Sequence, residues 1–127
     1  YGTGKNIRQW LYVEDCAEAV IKIIEHGIDG EIYNVPGSEE LRNIQIVETI
    51  LEILGKPKEL IQFVQDRPGH DYRYSMDFGK IKKLGWSPKT NFKDGIRKTV
   101  NWYTNNIKWG ENKMKYLKNF WAKVYKK

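Results

Sequence analysis

Apolar positions recur along this 127-residue chain in two rhythms, one suited to strands and one to helices. Residues 7–13 (IRQWLYV) are β-branched and aromatic around a single charge, which predicts a strand. Asp15 is placed to cap a helix in which Ala17, Val20, Ile21 and Ile24 fall at helical spacing up to Gly27. Residues 30–37 (GEIYNVPG) predict a second short strand, stopped by Pro36. Asn43 then stands where a cap belongs, ahead of an apolar face of Ile44, Val47, Ile50, Leu51 and Leu54, with Gly55 as terminator. A third strand is expected at 60–65 (LIQFVQ), followed by a short helix within 75–85, capped by Asp77 and ended by Gly85. Phe92, Ile96, Val100 and Tyr103 mark another helix. Trp109, Tyr116, Leu117, Phe120, Trp121 and Val124 mark one more, amphipathic and C-terminal.

Short strands alternating with helices predict an α/β fold with three short strands and four to five helices. That is a thin sheet for an independent α/β domain. The chain also opens inside a glycine-containing loop (YGTGKN), so the expectation is a portion of a larger protein. Cys16 is the lone cysteine, which excludes an internal disulfide and points to a reducing compartment, the cytoplasm. No run reaches the roughly 18 to 20 apolar residues of a membrane-spanning helix.

The net charge of +6 invites a nucleic-acid reading, but its distribution argues otherwise. From Lys108 onward seven lysines face Glu111 alone, which leaves 15 basic against 15 acidic residues in the rest. The basic character belongs to the tail, where it suits the solvated side of an amphipathic helix. Nucleic acid is therefore not the expected partner.

Most candidate chemistry dissolves on inspection. Gly2-Thr3-Gly4 lacks the third glycine of a dinucleotide loop, and a predicted strand follows it instead of a helix. His26 and His70 have no cysteine or carboxylate at metal-ligand spacing within a recognisable motif. His26 beside Gly27 suits a helix C-terminus, and Cys16 among alanines suits packing. The arginines say more. Arg8 interrupts an apolar strand, and Arg67 follows a predicted strand and precedes a rigid Pro68-Gly69 pair. Guanidinium groups at strand ends suit phosphate oxygens. The bland alternative is structural pairing, Arg67 with Asp71 or Arg73 with Asp77.

Four segments then carry a resemblance: YGTGKNIRQWLYVEDCAEA, GEIYNVPGSEELRNIQIVETI, DRPGHDYRYSMD and KLGWSPKTNFKDGIRKTVNWY. In order and spacing they resemble the C-terminal part of the extended short-chain dehydrogenase/reductases that act on nucleotide sugars. DRPGHDYRY is similar to the dTDP-glucose 4,6-dehydratase branch in particular. Gln9 stands where an acidic residue is usual, and Cys16 where a histidine is frequent.

The resemblance implies a nucleotide-sugar-binding domain over residues 1–105, with 106–127 as a basic amphipathic helix or tail. It implies Tyr1 against the nucleotide base, Arg8 and Arg67 on the diphosphate, and Asn43 on the substrate. Asp66, Arg67, Pro68, Gly69 and His70 would form the loop that closes over it. It also implies a dTDP-sugar partner, a homodimeric complete enzyme, and an NAD cofactor. The glycine-rich NAD loop and the Tyr-x-x-x-Lys and Asp-Glu pairs that do the chemistry have no counterpart in this sequence, so no catalytic residue is assigned and the chain alone is expected to be inactive. Two rival readings are another enzyme of the family, a UDP-sugar epimerase or UDP-glucuronate decarboxylase, and a stand-alone nucleotide or nucleic-acid binding module.

Overall fold

A computed structural model describes residues 1–124. Two strands and five helices follow one another: β1 (Ile7–Trp10), α1 (Val13–His26), β2 (Glu39–Arg42), α2 (Asn43–Ile53), α3 (Gly79–Lys82), α4 (Phe92–Asn105) and α5 (Ile107–Val124). A single 3-10 turn spans Lys58–Leu60. The fold is α/β, as its alternating pattern predicts, but among the described residues the sheet has two strands instead of three.

β1 pairs antiparallel with β2, with Ile7 opposite Arg42 and Trp10 opposite Glu39. Neither predicted partner strand forms. Residues 30–37 run without a ladder and instead pack Tyr33 and Val35 against the core. Gly37 lies so close to Trp10 that a Cβ there would sit 1.8 Å from the Trp10 carbonyl oxygen, so only glycine fits. The strand falls two residues later, on Glu39-Glu40-Leu41-Arg42. No apolar alternation announces it, because β2 is held by its backbone ladder and by polar contacts to a neighbouring loop. Residues 60–65 likewise form no strand. Phe63 and Val64 are exposed, and the segment is tied down where the Gly2 N–H donates to the Val64 carbonyl, 2.8 Å.

The core gathers Ala19, Ile81 and Trp86, with Leu11, Ile23, Phe78 and Leu84 packed around them. For α1 this is not the predicted face. Ala19 is buried, whereas Val20, Ile21 and Ile24 point outward. Helical periodicity marks an apolar stripe but does not say which stripe meets the core. In α2 the buried residue is Ile46, while Val47 and Leu54 of the predicted face stay exposed.

Asp15 does not cap α1; Tyr12 occupies that position. The Asp15 carboxylate is buried and accepts from the backbone N–H groups of Lys89 (3.2 Å) and Thr90 (2.9 Å) and from the Thr90 hydroxyl (3.2 Å). Its carbonyl accepts from the Trp86 indole, 3.1 Å. A residue suited by type to a cap thus joins the first turn of α1 to the 86–90 loop. Arg42, not Asn43, precedes α2, where the Gln45 side chain accepts from the Arg42 backbone N–H, 2.9 Å. A guanidinium cannot accept in return, so only half of a capping box exists. Phe78, not Asp77, holds the cap position of α3, although Asp77 accepts from the Gly79 N–H, 2.9 Å; the helix ends at Lys82 with Lys83 as its cap, and Gly85 follows two residues on. The α4 cap is Asn91, whose side chain accepts from the Asp94 N–H, 2.9 Å.

α5 forms where the tail's amphipathic pattern predicts it. Trp109 packs edge-on against Trp102 and Tyr103 of α4. The expected roles of Tyr116, Phe120, Trp121 and Val124 lie outside the described side chains. Among the described residues no helix is long and apolar enough to cross a membrane.

Candidate anion-binding site

The 66–76 loop docks on the free edge of β1. The Ile7 N–H donates to the Tyr72 carbonyl (2.8 Å), and the Tyr74 N–H donates to the Ile7 carbonyl (3.1 Å), a single parallel bridge centred on Arg73. Gln9 imitates a further rung with its side-chain amide. Its Oε1 accepts from the Met76 N–H at 2.6 Å, and its Nε2 donates to the Met76 carbonyl at 3.4 Å. Arg73 then reaches β2 and grips Glu40 with two parallel bonds of 2.7 Å. The Ser75 hydroxyl donates to the same carboxylate, 2.6 Å. These donors, Arg73 first, hold the Glu40 carboxyl down to about 2. Arg73 therefore pairs with Glu40 and not with Asp77.

At the start of the loop, Asp66 to His70 form a tight turn. The His70 N–H donates to the Arg67 carbonyl, 3.2 Å, with Pro68 and Gly69 in the two central positions. Gly69 has φ +67°, the value the third position of a type II turn requires, and proline presets the second. Asp66 Oδ1 accepts from the Arg67 N–H (2.9 Å) and faces His70 Nδ1 at 2.6 Å. The hydrogen bond from His70 holds the Asp66 carboxyl below the usual carboxylate range. A carboxylate only accepts, so His70 carries its proton on Nδ1 and turns the Nε2 lone pair toward Arg8. Arg8 Nη2 donates to it across 3.3 Å. The His70 side chain is 7% exposed, which fixes the ring in this orientation.

Arg8 makes further bonds inside the protein. Nη1 donates to the Ile7 carbonyl at 2.7 Å and Nη2 to the Asp71 carbonyl at 3.0 Å. The buried Asn6 donates to that same carbonyl, 3.1 Å. The Arg8 guanidinium lies 4.1 Å from the centre of the Tyr74 ring. Tyr74 in turn donates its hydroxyl to Asp71, 2.5 Å, and the Asp71 carboxylate raises the Tyr74 hydroxyl above its ordinary pKa. Asp71 is thus occupied by Tyr74 and not by Arg67. Arg67 is exposed, makes no ion pair among the described residues, and lies 5.0 Å from the centre of the Tyr1 ring. Tyr1 meets His70 edge-on, with ring centres 6.3 Å apart.

The structure therefore gathers Tyr1, Arg8, Asp66, Arg67, Pro68, Gly69 and His70 in one place. Asn43 stands to one side, below the 1–6 loop. Its N–H donates to the Asn6 carbonyl (3.0 Å), and the neighbouring Ile44 N–H donates to the Gly4 carbonyl (2.8 Å). Asn43 Oδ1 is enclosed without a hydrogen-bond partner among the described residues. An enclosed acceptor of this kind costs about 1–3 kcal/mol when nothing bonds to it. Asn6, Asp71 and Tyr74 escape the sequence reading, because their contacts cross more than 60 positions or run through backbone carbonyls.

Two cations sit here beside His70, and of the nearby carboxylates Asp66 is engaged by His70 and Asp71 by Tyr74. The arrangement can accept a multivalent anion. It does not hold a dinucleotide cofactor: the Gly2 and Gly4 N–H groups are committed to Val64 and Tyr1, and the loop enters a strand. His26 is exposed beside Glu25, 3.6 Å away, and Cys16 is half-buried. Among the described residues no three metal-ligating side chains converge. A cavity of about 600 Å³ lies elsewhere, walled by Trp10, Tyr12, Phe92, Trp102 and Trp109, and shares none of the anion-site residues.

The sequence profile of the GDP-mannose 4,6 dehydratase family matches residues 1–99. This chain belongs to that family. Within the family's wider circle it is 47% identical over 126 residues to a dTDP-glucose 4,6-dehydratase from Escherichia coli, covering 90% of this chain and 35% of the relative. A dTDP-glucose 4,6-dehydratase structure from Streptomyces venezuelae, with NAD bound, superposes with a TM-score of 0.81 at 40% identity, over 86% of this chain and 34% of that one. The corresponding Bacillus anthracis structure, in complex with NAD, gives 0.79 at 42% identity, over 86% and 35%. The chain thus spans about a third of the length of the dehydratases it matches.

Proposed function

We propose that this chain is the nucleotide-sugar-binding C-terminal portion of a dTDP-glucose 4,6-dehydratase, with residues 1–105 as the binding domain and 106–127 as an appended basic helix. The observation that carries this reading is the open guanidinium of Arg67, in the Pro-Gly turn whose His70 also meets Arg8, with no carboxylate neutralising it among the described residues. A diphosphate bridges such a pair with charge-assisted bonds. Tyr1, with Arg67 5.0 Å above its ring centre, would take the nucleotide base. The close similarity to enzymes named dTDP-glucose 4,6-dehydratase supports dTDP as the nucleotide.

In the complete enzyme, a cytoplasmic homodimer, dTDP-glucose is converted to dTDP-4-keto-6-deoxyglucose, an entry to deoxysugar biosynthesis. NAD and the proton-transfer groups come from outside this chain, which holds the substrate and is inactive alone. Isothermal titration of the 127-residue chain with dTDP and with UDP tests the reading. Tighter binding of dTDP is expected; a preference for UDP, or no binding of either, overturns it. Formation of 4-keto sugar by the chain alone overturns the division of labour.

A further inference from the structure

The clamp reading leaves Tyr74 without a role, yet the ring is tied into the site more firmly than most of its neighbours. Its face lies 4.1 Å from the Arg8 guanidinium carbon, its hydroxyl is bonded to Asp71, and its N–H is bonded to the Ile7 carbonyl. Asp71 in turn gives its backbone carbonyl to Arg8. Ring, carboxylate and carbonyl therefore make a closed circuit around one guanidinium.

We propose that Tyr74 is a positioning residue for the anion site: its ring is the seat that fixes the plane of the Arg8 guanidinium. The hydrogen bonds of Arg8, to Ile7, Tyr72, Asp71 and His70, constrain its edges. None of them stops the group from rocking out of plane. The Tyr74 ring beneath it does, because the π face attracts the cation and blocks movement toward that side. The hydroxyl bond to Asp71 pins the far end of the ring and so keeps it beneath Arg8. The seat works on Arg8 alone; Arg67 rests on a different ring, Tyr1.

This inference rests on the diphosphate reading above, and two measurements separate their failures. The first uses no ligand. Ring current from Tyr74 places the Arg8 side-chain proton resonances upfield in the NMR spectrum of the 127-residue chain. Tyr74→Phe keeps that displacement and Tyr74→Leu abolishes it. Unchanged Arg8 resonances in Tyr74→Leu overturn the seat whatever the chain binds. The second is titration with dTDP and with thymidine. Tyr74→Leu is expected to weaken dTDP about fivefold and leave thymidine unchanged, while Tyr74→Phe stays within about twofold of the parent. Equal loss for dTDP and thymidine means a general structural defect and overturns the proposal, as does a Tyr74→Phe defect as large as that of Tyr74→Leu. A parent chain that binds no dTDP overturns the diphosphate reading, and the ligand part of this inference with it.

Discussion

Arg8 and Arg67 face the same site with the same functional group, but they are engaged differently. Arg8 comes from a strand and places its terminal nitrogens on three backbone carbonyls, of Ile7, Tyr72 and Asp71, and on a histidine. Arg67 comes from an exposed turn and only rests against a ring. One is a pin that holds the 66–76 loop on β1; the other is an open set of five donors. An arginine next to a candidate anion site is therefore not defined by its charge. What its N–H groups already bond to decides how much is left for a ligand.

The largest effect that can break this contrast is expected at Arg67. Arg67→Ala should weaken dTDP binding about tenfold to a hundredfold, the range of charge-assisted bonds, with the thermal midpoint unmoved. Titration calorimetry and a thermal melt on the same sample check both halves; a lowered midpoint would make Arg67 structural. Arg8→Ala should instead cost about 1–2 kcal/mol of stability in urea unfolding, because the carbonyls of Ile7 and Asp71 each lose one of two donors, and should weaken dTDP as well. An unchanged urea midpoint would erase the distinction between the two arginines.

A smaller effect sharpens the role of the turn. Asp66→Asn removes the carboxylate that keeps the His70 proton on Nδ1. The Nε2–H tautomer then becomes accessible, its lone pair no longer faces Arg8, and dTDP affinity should fall about threefold. Nitrogen-15 shifts of the His70 ring read the tautomer directly, and an unaltered tautomer would refute the relay. The smallest expected effect is at the far side of the loop. The Glu40 carboxyl is held at about 2 against an ordinary 4.5. A depressed acid stabilises the fold above its unfolded value, so its contribution is complete above about pH 4.5 and is lost as pH falls through 2. Thermal midpoints of the parent chain should drop more steeply across that window than those of Glu40→Gln; parallel curves would show that the Arg73–Glu40 clamp does not stabilise the loop.

The α/β class, the positions of the longer helices and the Pro-Gly turn are legible in the sequence because each depends on local chemistry. Helical periodicity over α1, α2 and α4, a φ that only glycine adopts readily at Gly69, and a proline before it need no distant partner. β2 is illegible for the opposite reason: Glu39-Glu40-Leu41-Arg42 has no apolar rhythm and becomes a strand through pairing with residues 29 to 35 positions away. The same holds for Asp15, whose residue type suggests a cap and whose partners lie over 70 positions along the chain.

For the site, the sequence by itself determined which groups could bind an anion. Arg8, the 66–70 turn and their order in the chain stand in plain view, and so does the family they resemble. Only the tertiary structure decided how those groups are divided. It docked the loop on β1, set His70 between Asp66 and Arg8, placed Tyr74 under one guanidinium and Tyr1 under the other, and spent the donors of Arg8 on backbone carbonyls. A donor's availability depends on whichever acceptors the fold brings within about 3 Å, and that distance is set by packing between segments that the sequence keeps some 60 residues apart.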